Sequence, residues 1–430
     1  MRPPTRPFPV SILLSLLLLL VLVCPPMPLR AGDWPAWRGP GGMGVAEGEH
    51  GLPEQWSATE HVTWKADLPG PGNSSPVVWG DRVFLTCAEK EGAVRGVLCF
   101  DRNDGRLLWR RDTPFEGKET THETNPYCSA SPVTDGKRVI AWHGSAGVVA
   151  YGMHGRPLWH RDLGPFNHIW GNGSSPILDG ERVFLYCGPG PETTMLALDA
   201  ATGETLWTND LEDARAEKPD QWKGSWATPV LRHVAGERYE LLVSLPGYVA
   251  GFDPDSGKEV WRCRGLGDLV YASPLTDGDT IVAMSGYGGP AIGLRAPQAG
   301  ETGDLTDTHR LWVVAKNQQR VGSGVIVRDH VYILNDPGMA ECIEAHTGKT
   351  VWKTRASGTS WGSMVYADGK LYVTDQEGET VVTRPNPHKL EVIATNELGE
   401  TSRASPAVSN GQIFLRTYKH LYCVGERRRG

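Results

Sequence analysis

Residues 197–207 read Ala-Leu-Asp-Ala-Ala-Thr-Gly-Glu-Thr-Leu-Trp, and variants of this phrase recur along the chain. In each copy a short apolar segment ends at an acidic residue, a Gly-containing turn follows, and a Trp lies in the next segment. Close variants span 99–109, 251–261 and 342–352, while Trp159 and Trp312 end degenerate copies. Short apolar runs alternating with such turns predict pairs of β-strands.

A second phrase, a small residue followed by Ser-Pro, precedes the first in most units. It reads Ser-Ser-Pro-Val at 74–77, Ala-Ser-Pro-Val at 130–133 and Ser-Ser-Pro-Ile at 174–177. Its third residue falls at positions 76, 132, 176, 229, 274, 324, 364 and 406, which makes eight copies. A unit of about 40–50 residues with four strands is typical of a propeller blade. The sequence therefore predicts an all-β, eight-bladed propeller of four-stranded antiparallel blades.

The two ends of the repeat predict how the ring closes. Residues 61–67 contain a Trp-bearing strand with no unit before it, and the eighth unit stops without such a strand. We expect this N-terminal strand to complete the eighth blade and hide a sheet edge. The predicted organisation is a signal peptide at 1–31, an N-terminal extension at 32–60, the propeller at 61–425 and a basic tail at 426–430.

The recurrent Trp is predicted to pack between neighbouring blades, because it supplies a large buried area once per unit. The expected blade-docking residues are Trp64, Trp109, Trp159, Trp207, Trp261, Trp312 and Trp352.

The N-terminus has the pattern of an export signal. Arg2 and Arg6 precede an apolar run over residues 10–24, which is too short to span a bilayer comfortably. Cleavage after Ala31 is the favoured interpretation; an uncleaved anchor or a lipoprotein attached at Cys24 are the alternatives. Cleavage removes three of the 43 basic residues and none of the 50 acidic ones, leaving a net charge of −10. We expect a soluble, monomeric protein in the periplasm or extracytoplasmic envelope that binds no nucleic acid.

Cysteine and histidine spacing predicts neither a metal site nor a catalytic motif. No Cys-x-x-Cys and no adjacent Cys pair occurs among the eight cysteines. Cys99, Cys342 and Cys423 occupy a repeat position that takes small residues, which indicates packing. A disulfide joining Cys87 or Cys187 to Cys128 remains an alternative.

The residues just before each Ser-Pro phrase should converge on one mouth of the central channel. Amides, aromatic rings and two arginines there suit a flat ligand or a peptide, although they could instead only build the funnel wall. The candidates are Asn73, Asn125, Tyr127, His168, Trp170, Asn172, Trp222, Trp226, Tyr271, Arg320, Trp361 and Arg403.

Three insertions, at 115–128, 165–170 and 211–226, should lie over adjacent blades on this same face. Loops on a rigid scaffold commonly carry binding. We expect the first and third of them, with Trp222 and Trp226 as aromatic anchors, to contact a partner.

Taken together, these phrases resemble the pyrroloquinoline quinone (PQQ)-like β-propeller repeat family over residues 33–424. The opening Asp-Trp-Pro-Ala-Trp-Arg-Gly-Pro at 33–40 is similar to an exported, largely uncharacterised branch of that family. The resemblance to the BamB-like outer-membrane assembly propeller implies a scaffold without a cofactor that binds an envelope protein or peptide.

The more distant resemblance to quinoprotein alcohol dehydrogenases implies an alternative, a PQQ- and calcium-dependent oxidoreductase of alcohols or sugars. Trp170, Trp226 or Trp361 would then stack on the quinone, and Arg320 or Arg403 would bind its carboxylates. A carbohydrate-binding propeller is the second alternative, because Trp and Asn side chains at a funnel also suit sugars.

Overall fold

Eight four-stranded antiparallel sheets form the structure, a computed structural model that describes residues 32–236, 238–317 and 321–426. The predicted signal peptide and residues 427–430 of the predicted tail lie outside these ranges. Each blade is numbered in chain order and its strands run from the innermost to the outermost. The prediction of an eight-bladed all-β propeller is confirmed.

The strands of the first four blades share this order. Blade 1 holds Val77–Trp79, Arg82–Glu89, Val94–Asp101 and Leu107–Pro114; blade 2 holds Val133–Thr134, Arg138–Trp142, Val148–Gly152 and Pro157–Arg161; blade 3 holds Ile177–Asp179, Arg182–Cys187, Thr194–Asp199 and Thr205–Asn209; blade 4 holds Val230–Ala235, Arg238–Leu245, Tyr248–Phe252 and Glu259–Arg264.

The remaining blades follow the same pattern. Blade 5 holds Leu275–Thr276, Thr280–Met284, Ala291–Arg295 and Arg310–Val314; blade 6 holds Val325–Val327, His330–Asn335, Met339–Glu344 and Thr350–Arg355; blade 7 holds Val365–Ala367, Lys370–Thr374, Glu379–Arg384 and Glu391–Glu397; blade 8 holds Ala407–Ser409, Gln412–Arg416, His420–Val424 and, outermost, Val62–Asp67.

Short additional elements decorate the propeller. Val45–Ala46 runs parallel to the innermost strand of blade 7, Gly303–Asp304 runs parallel to the outermost strand of blade 4, and Gly224–Ser225 pairs with Leu269–Val270. The described helices are the 3₁₀ turns Pro40–Gly42, Lys90–Gly92, Gly144–Ala146 and Glu212–Ala214, and the α-helix Thr306–His309. None of the described helices is long and apolar enough to cross a membrane.

The N-terminal strand closes the ring as predicted. Val62–Asp67 pairs antiparallel with His420–Val424, and Trp64 lies opposite Cys423. The Trp64 indole donates from Nε1 to the carbonyl of Arg102 in blade 1, at 2.6 Å. Strand pairing and side-chain docking therefore join the two ends of the chain.

The recurrent Trp residues contact the blade that follows their own. The indole nitrogens of Trp109, Trp159, Trp207, Trp312 and Trp352 each donate to a backbone carbonyl of the next blade, at 2.8–3.0 Å.

Trp261 differs in its hydrogen bond. Its indole donates to the Glu240 carboxylate of its own blade at 2.9 Å, because the corresponding turn of blade 5 is replaced by the longer connection 296–309. The Trp261 ring still packs against Ala296 and Leu305 of that connection.

A ring of hydroxyl groups explains the Ser of the Ser-Pro phrase. Around the channel, the backbone N–H of one blade's Ser donates to the hydroxyl of the next blade's Ser or Thr. We call the eight residues the hydroxyl ring: Ser75, Ser131, Ser175, Thr228, Ser273, Ser323, Ser363 and Ser405. Seven links have this form, at 2.8–3.0 Å, and the last of them, from Ser405 to Ser75, closes the circle.

The eighth link is made in another way. Between blades 4 and 5, the Ser273 hydroxyl donates to the carbonyl of Thr228 at 2.7 Å. A buried hydrogen bond thus joins every neighbouring pair of blades next to their innermost strands. In the seven links that use a backbone N–H, loss of the hydroxyl would leave a buried N–H without a partner, which is costly.

The N-terminal extension crosses the base of the channel. Trp34 exchanges two backbone hydrogen bonds with Val78 of blade 1, and the Pro35 carbonyl accepts from Thr134 of blade 2. Farther on, Arg38 donates to the carbonyl of Gly324 in blade 6, and Val45–Ala46 joins blade 7. The segment 34–46 therefore closes one end of the channel, a role that the sequence did not reveal.

Arg38 is fully buried within this closure. Its guanidinium also donates to the Met43 carbonyl at 2.7 Å, while Nε and Nη1 have no partner among the described residues. Burial lowers the pKa of Arg38 to about 9.

Candidate functional site: the aromatic funnel

The open end of the channel is a funnel of about 410 Å³. Trp37 of the closing segment lines it and also lines a groove on the opposite face, so this residue separates the two spaces. The described lining contains no Asp or Glu. It consists of Trp37, Asn73, His122, Thr124, Asn125, Ser129, Trp170, Gly173, Trp226, Thr228, Tyr271, Tyr287, Val321, Trp361, Ser363, Arg403 and Ser405.

One side of the funnel is a continuous series of ring contacts, which we call the aromatic arc. Its members, in order of contact, are His122, Trp170, Trp222, Tyr287, Tyr271, Trp226 and His168, with successive ring centroids 4.5–6.2 Å apart. Trp226 and Tyr271 stack face to face at 4.6 Å. Trp222 and Tyr287 are 56% and 44% exposed. The middle of the arc therefore reaches the rim of the funnel, and its two ends lie deeper in the wall.

The other side of the funnel carries a positive charge. The Arg403 guanidinium lies over the rings of Trp361 and Tyr418, 4.8 and 5.4 Å from their centroids. Its Nε donates to Gln376 Oε1, and its Nη1 donates to the Tyr418 hydroxyl and the Thr124 carbonyl. Among the described residues Nη2 has no hydrogen-bond acceptor. Arg403 precedes blade 8 and Trp226 precedes blade 4, so the charge faces the arc across the ring.

A buried carboxylate fixes the insertion 115–128. Glu119 accepts from Arg95 Nη1 at 3.0 Å, from the Ser145 backbone N–H at 2.6 Å and from Asn172 Nδ2 at 3.3 Å. Arg95 is buried between the rings of Phe115 and Tyr127, 4.7 and 4.8 Å away. One carboxylate thus ties the insertion to blade 2 and to the connection before blade 3.

Asn125 joins the first insertion to the second. Its Nδ2 donates to the carbonyls of Trp170 and Asn172, at 2.6 and 2.9 Å. The second insertion contacts the third, because the Ile169 N–H donates to the Pro219 carbonyl. The three insertions lie together on the funnel face as one ordered wall.

The structure brings seven of the twelve predicted site residues to the funnel: Asn73, Asn125, Trp170, Trp226, Tyr271, Trp361 and Arg403. Trp222 lies at the rim. Arg320 lies outside the described residues.

Tyr127, His168 and Asn172 do not line the funnel, because their side chains hold the insertions in place. The Tyr127 hydroxyl donates to the Glu119 carbonyl, and His168 Nε2 contacts the Gln221 carbonyl at 3.0 Å. Burial lowers the pKa of His168 and raises that of Tyr127.

Three prominent funnel residues are not among the predicted site residues. Trp37 lies in the extension, outside the repeat, and His122 lies within an insertion. Tyr287 lies in a Gly-rich turn with a backbone φ of +54°. An aromatic residue in a turn that favours glycine was the one available signal at this last position.

The donor set of the described funnel lining does not fit calcium. Calcium takes six to eight oxygen ligands, with carboxylates prominent among them. The described lining offers none, and the described part of the chain holds no cluster of three or more His, Cys, Asp or Glu that could bind a metal. The seven described cysteines are free and buried, including Cys87, Cys128 and Cys187, so the disulfide alternative is not formed.

Comparison with known proteins places the chain in a family. Residues 45–212, 94–261, 192–318 and 246–393 match the repeat model described as outer membrane protein assembly factor BamB. The chain belongs to this family. It is 26% identical to BamB of Alkalilimnicola ehrlichii over 219 residues, half of each chain, and 25% identical to BamB of Burkholderia pseudomallei over 196 residues, 45% of each.

A dehydrogenase is a partial match. Quinohemoprotein alcohol dehydrogenase ADH IIB of Pseudomonas putida is 27% identical over 179 residues, 40% of this chain and 23% of that protein. The chain thus aligns with half or less of the length of each of these relatives.

Solved structures agree on the fold. BamB from Moraxella catarrhalis superposes with a TM-score of 0.58 at 14% identity, covering 85% of this chain and 98% of that one. Quinohemoprotein alcohol dehydrogenase ADHIIG from Pseudomonas putida superposes with a TM-score of 0.59 at 11% identity, covering 92% and 80%. At such identities the likeness extends to the fold alone.

Proposed function

We propose that this protein is an exported propeller that acts as a protein-interaction scaffold in the cell envelope and binds a protein or peptide partner through its funnel face. The observation that carries the proposal is the aromatic arc, whose middle members Trp222 and Tyr287 are exposed. Exposed, pre-ordered aromatic side chains are frequent energetic centres of protein interfaces. Membership of the BamB family and the signal-like residues 1–31 support the envelope setting.

The rigidity of the insertions favours this proposal. The Glu119 network and Asn125 hold the wall in a single arrangement, so a partner would meet a preformed surface. The loops of such a surface lose little conformational entropy when a partner binds. The wall lies over blades 1 to 4, which gives the funnel face one distinctive sector for recognition.

The alternative functions receive less support from the site. A quinone enzyme with calcium would need carboxylate ligands that the described lining lacks. A carbohydrate would find aromatic surfaces, but most polar groups around them already bind protein atoms.

Site-specific photocrosslinking tests the proposal. A benzoylphenylalanine placed at position 222 should give a discrete adduct in envelopes of the native host. The matched control carries the same group at position 206, since Leu206 is 50% exposed on the outermost strand of blade 3. Adding Tyr287→Asp should reduce the adduct at 222 at least tenfold without changing the melting temperature. No adduct, or equal adducts at both positions, would refute the proposed interface.

A further inference from the structure

The polar side chains of the funnel are largely engaged by the protein itself. Both donor hydrogens of Asn125 go to backbone carbonyls, and Asn73 donates to the Thr124 carbonyl and lies 3.4 Å from the Tyr418 hydroxyl. Ser363 and Ser405 accept hydrogen bonds within the hydroxyl ring. A ligand rich in hydroxyl groups would leave many of them unpaired there, which is unfavourable. The funnel therefore favours an apolar or aromatic insert over a sugar.

Among the described funnel residues, the guanidinium of Arg403 remains available to such an insert. Arg403 keeps Nη2 without a protein acceptor among the described residues, while its other nitrogens and two aromatic rings fix its orientation. The described lining offers no carboxylate to neutralise it. A guanidinium held in place and partly desolvated is a strong partner for a carboxylate.

The geometry sets the two features on opposite sides of the funnel. Trp226 and Tyr271, which stack on each other, precede blades 4 and 5, four and three blades from Arg403, and Trp37 closes the base. A cavity of about 410 Å³ accommodates one large side chain together with its backbone. An occupant would then need its ring and its carboxylate close together.

We propose that the funnel binds a peptide segment that presents an aromatic side chain beside a carboxylate. The ring packs against Trp226 and Tyr271, and the carboxylate pairs with Arg403 Nη2. The carboxylate comes either from an acidic side chain next to the aromatic residue or from the end of a polypeptide. This inference rests on the proposed function, since it gives the chemistry of the segment that a partner inserts.

Calorimetric titration of the mature chain with short capped peptides tests the proposal. The first probe is acetyl-Gly-Gly-Phe-Asp-Gly-amide, with Phe-Asn and Ala-Asp versions as controls. The second is acetyl-Gly-Gly-Phe with a free carboxylate, compared with its amide. We expect at least one carboxylate probe to bind, and removal of its ring or its negative charge to weaken binding at least tenfold. The arm that binds identifies the source of the carboxylate.

Variants locate the charge recognition. Arg403→Gln should weaken the Phe-carboxylate probe to the level of its neutral version and leave the neutral version unchanged, an outcome that a general loss of structure would not produce. Arg403→Lys, which retains the charge, should keep part of the preference. Arg106→Gln is the matched control, because Arg106 is 67% exposed on the turn before the outermost strand of blade 1.

The outcomes separate this inference from the proposed function. If adducts form at position 222 but neither carboxylate probe binds, the funnel proposal is overturned and the rim interface stands. Binding that is insensitive to Arg403→Gln, or binding of a glucuronate oligosaccharide in place of the peptides, also overturns it. Loss of both the adducts and peptide binding overturns both proposals.

Discussion

Replacing Ser175 with alanine tests the hydroxyl ring directly. The Ser175 hydroxyl accepts the backbone N–H of Ser131 at 2.9 Å, and both residues are buried. Alanine leaves that N–H without a partner, which costs about 1–3 kcal/mol. The adjacent Ser174 is an internal control, because it is also fully buried but its hydroxyl has no partner among the described residues. Ser174→Ala should therefore leave stability unchanged or slightly raised.

The expected shift in melting temperature follows from chain length. Unfolding entropy of about 2.1 cal/mol/K per residue gives about 0.8 kcal/mol/K for about 400 residues, so a loss of 2 kcal/mol lowers the melting temperature by about 2.4 °C. Differential scanning calorimetry of the two variants at matched concentration measures this difference. Ser175→Thr should recover most of the loss, since Thr228 fills the same role in blade 4. Equal shifts for Ser174→Ala and Ser175→Ala would refute the ring as a stabilising element.

Three further predictions follow from individual contacts. Trp64→Ala removes the buried indole that docks the closing strand and should lower the free energy of unfolding by about 3–5 kcal/mol. Leu206→Ala, on an exposed strand, should shift the thermal unfolding curve little. Similar shifts for the two variants would contradict a stabilising role for Trp64 in ring closure. Burial lowers the pKa of His143 to about 3, so protons bind preferentially to the unfolded state and stability should fall as pH drops from about 6.5 toward 3. In denaturant titrations, His143→Gln should flatten this dependence of stability on pH. An unchanged slope would count against the burial of a neutral His143. Burial raises the pKa of Cys87 to about 12, and the other described thiols are also buried. A thiol reagent at pH 8 should therefore label these cysteines only after denaturation. Rapid labelling of the native protein would contradict this prediction.

The architecture could be predicted because each repeat unit is specified by short-range sequence patterns. The Gly turn that precedes Trp207 and the Ser-Pro phrase at 174–176 are short-range patterns, and their recurrence fixed the number of blades and the closing strand. The prediction held for the fold because every blade has the same order of four antiparallel strands, although strand and turn lengths differ between blades. The sequence also indicated the docking Trp, since one large apolar residue per unit signals a shared interface.

The candidate site could be predicted only in part. Trp226, Tyr271 and Arg403, predicted from their position relative to the Ser-Pro phrase, line the funnel, because blade geometry places equivalent residues at equivalent heights. Tyr127 and His168 share that position in sequence, yet their side chains fasten the insertions. Whether a side chain faces the cavity or the loop behind it depends on contacts within insertions that follow no repeat.

The sequence alone thus determined the blade count, the order of the strands and the way the ring closes. A repeat of about 50 residues shows which strands each unit contains, and the two incomplete units at the ends of the repeat complement each other. Tertiary structure decided that residues 34–46 cross the channel and close it. It also decided that Asn125 donates to neighbouring backbone carbonyls, whereas Arg403 Nη2 has no acceptor among the described residues. Rings from five separate connections form one arc. These features arise from contacts between residues far apart in the chain, as between Gly44 and Tyr366, which are 322 positions apart. Such contacts leave no periodic trace, because each is made once.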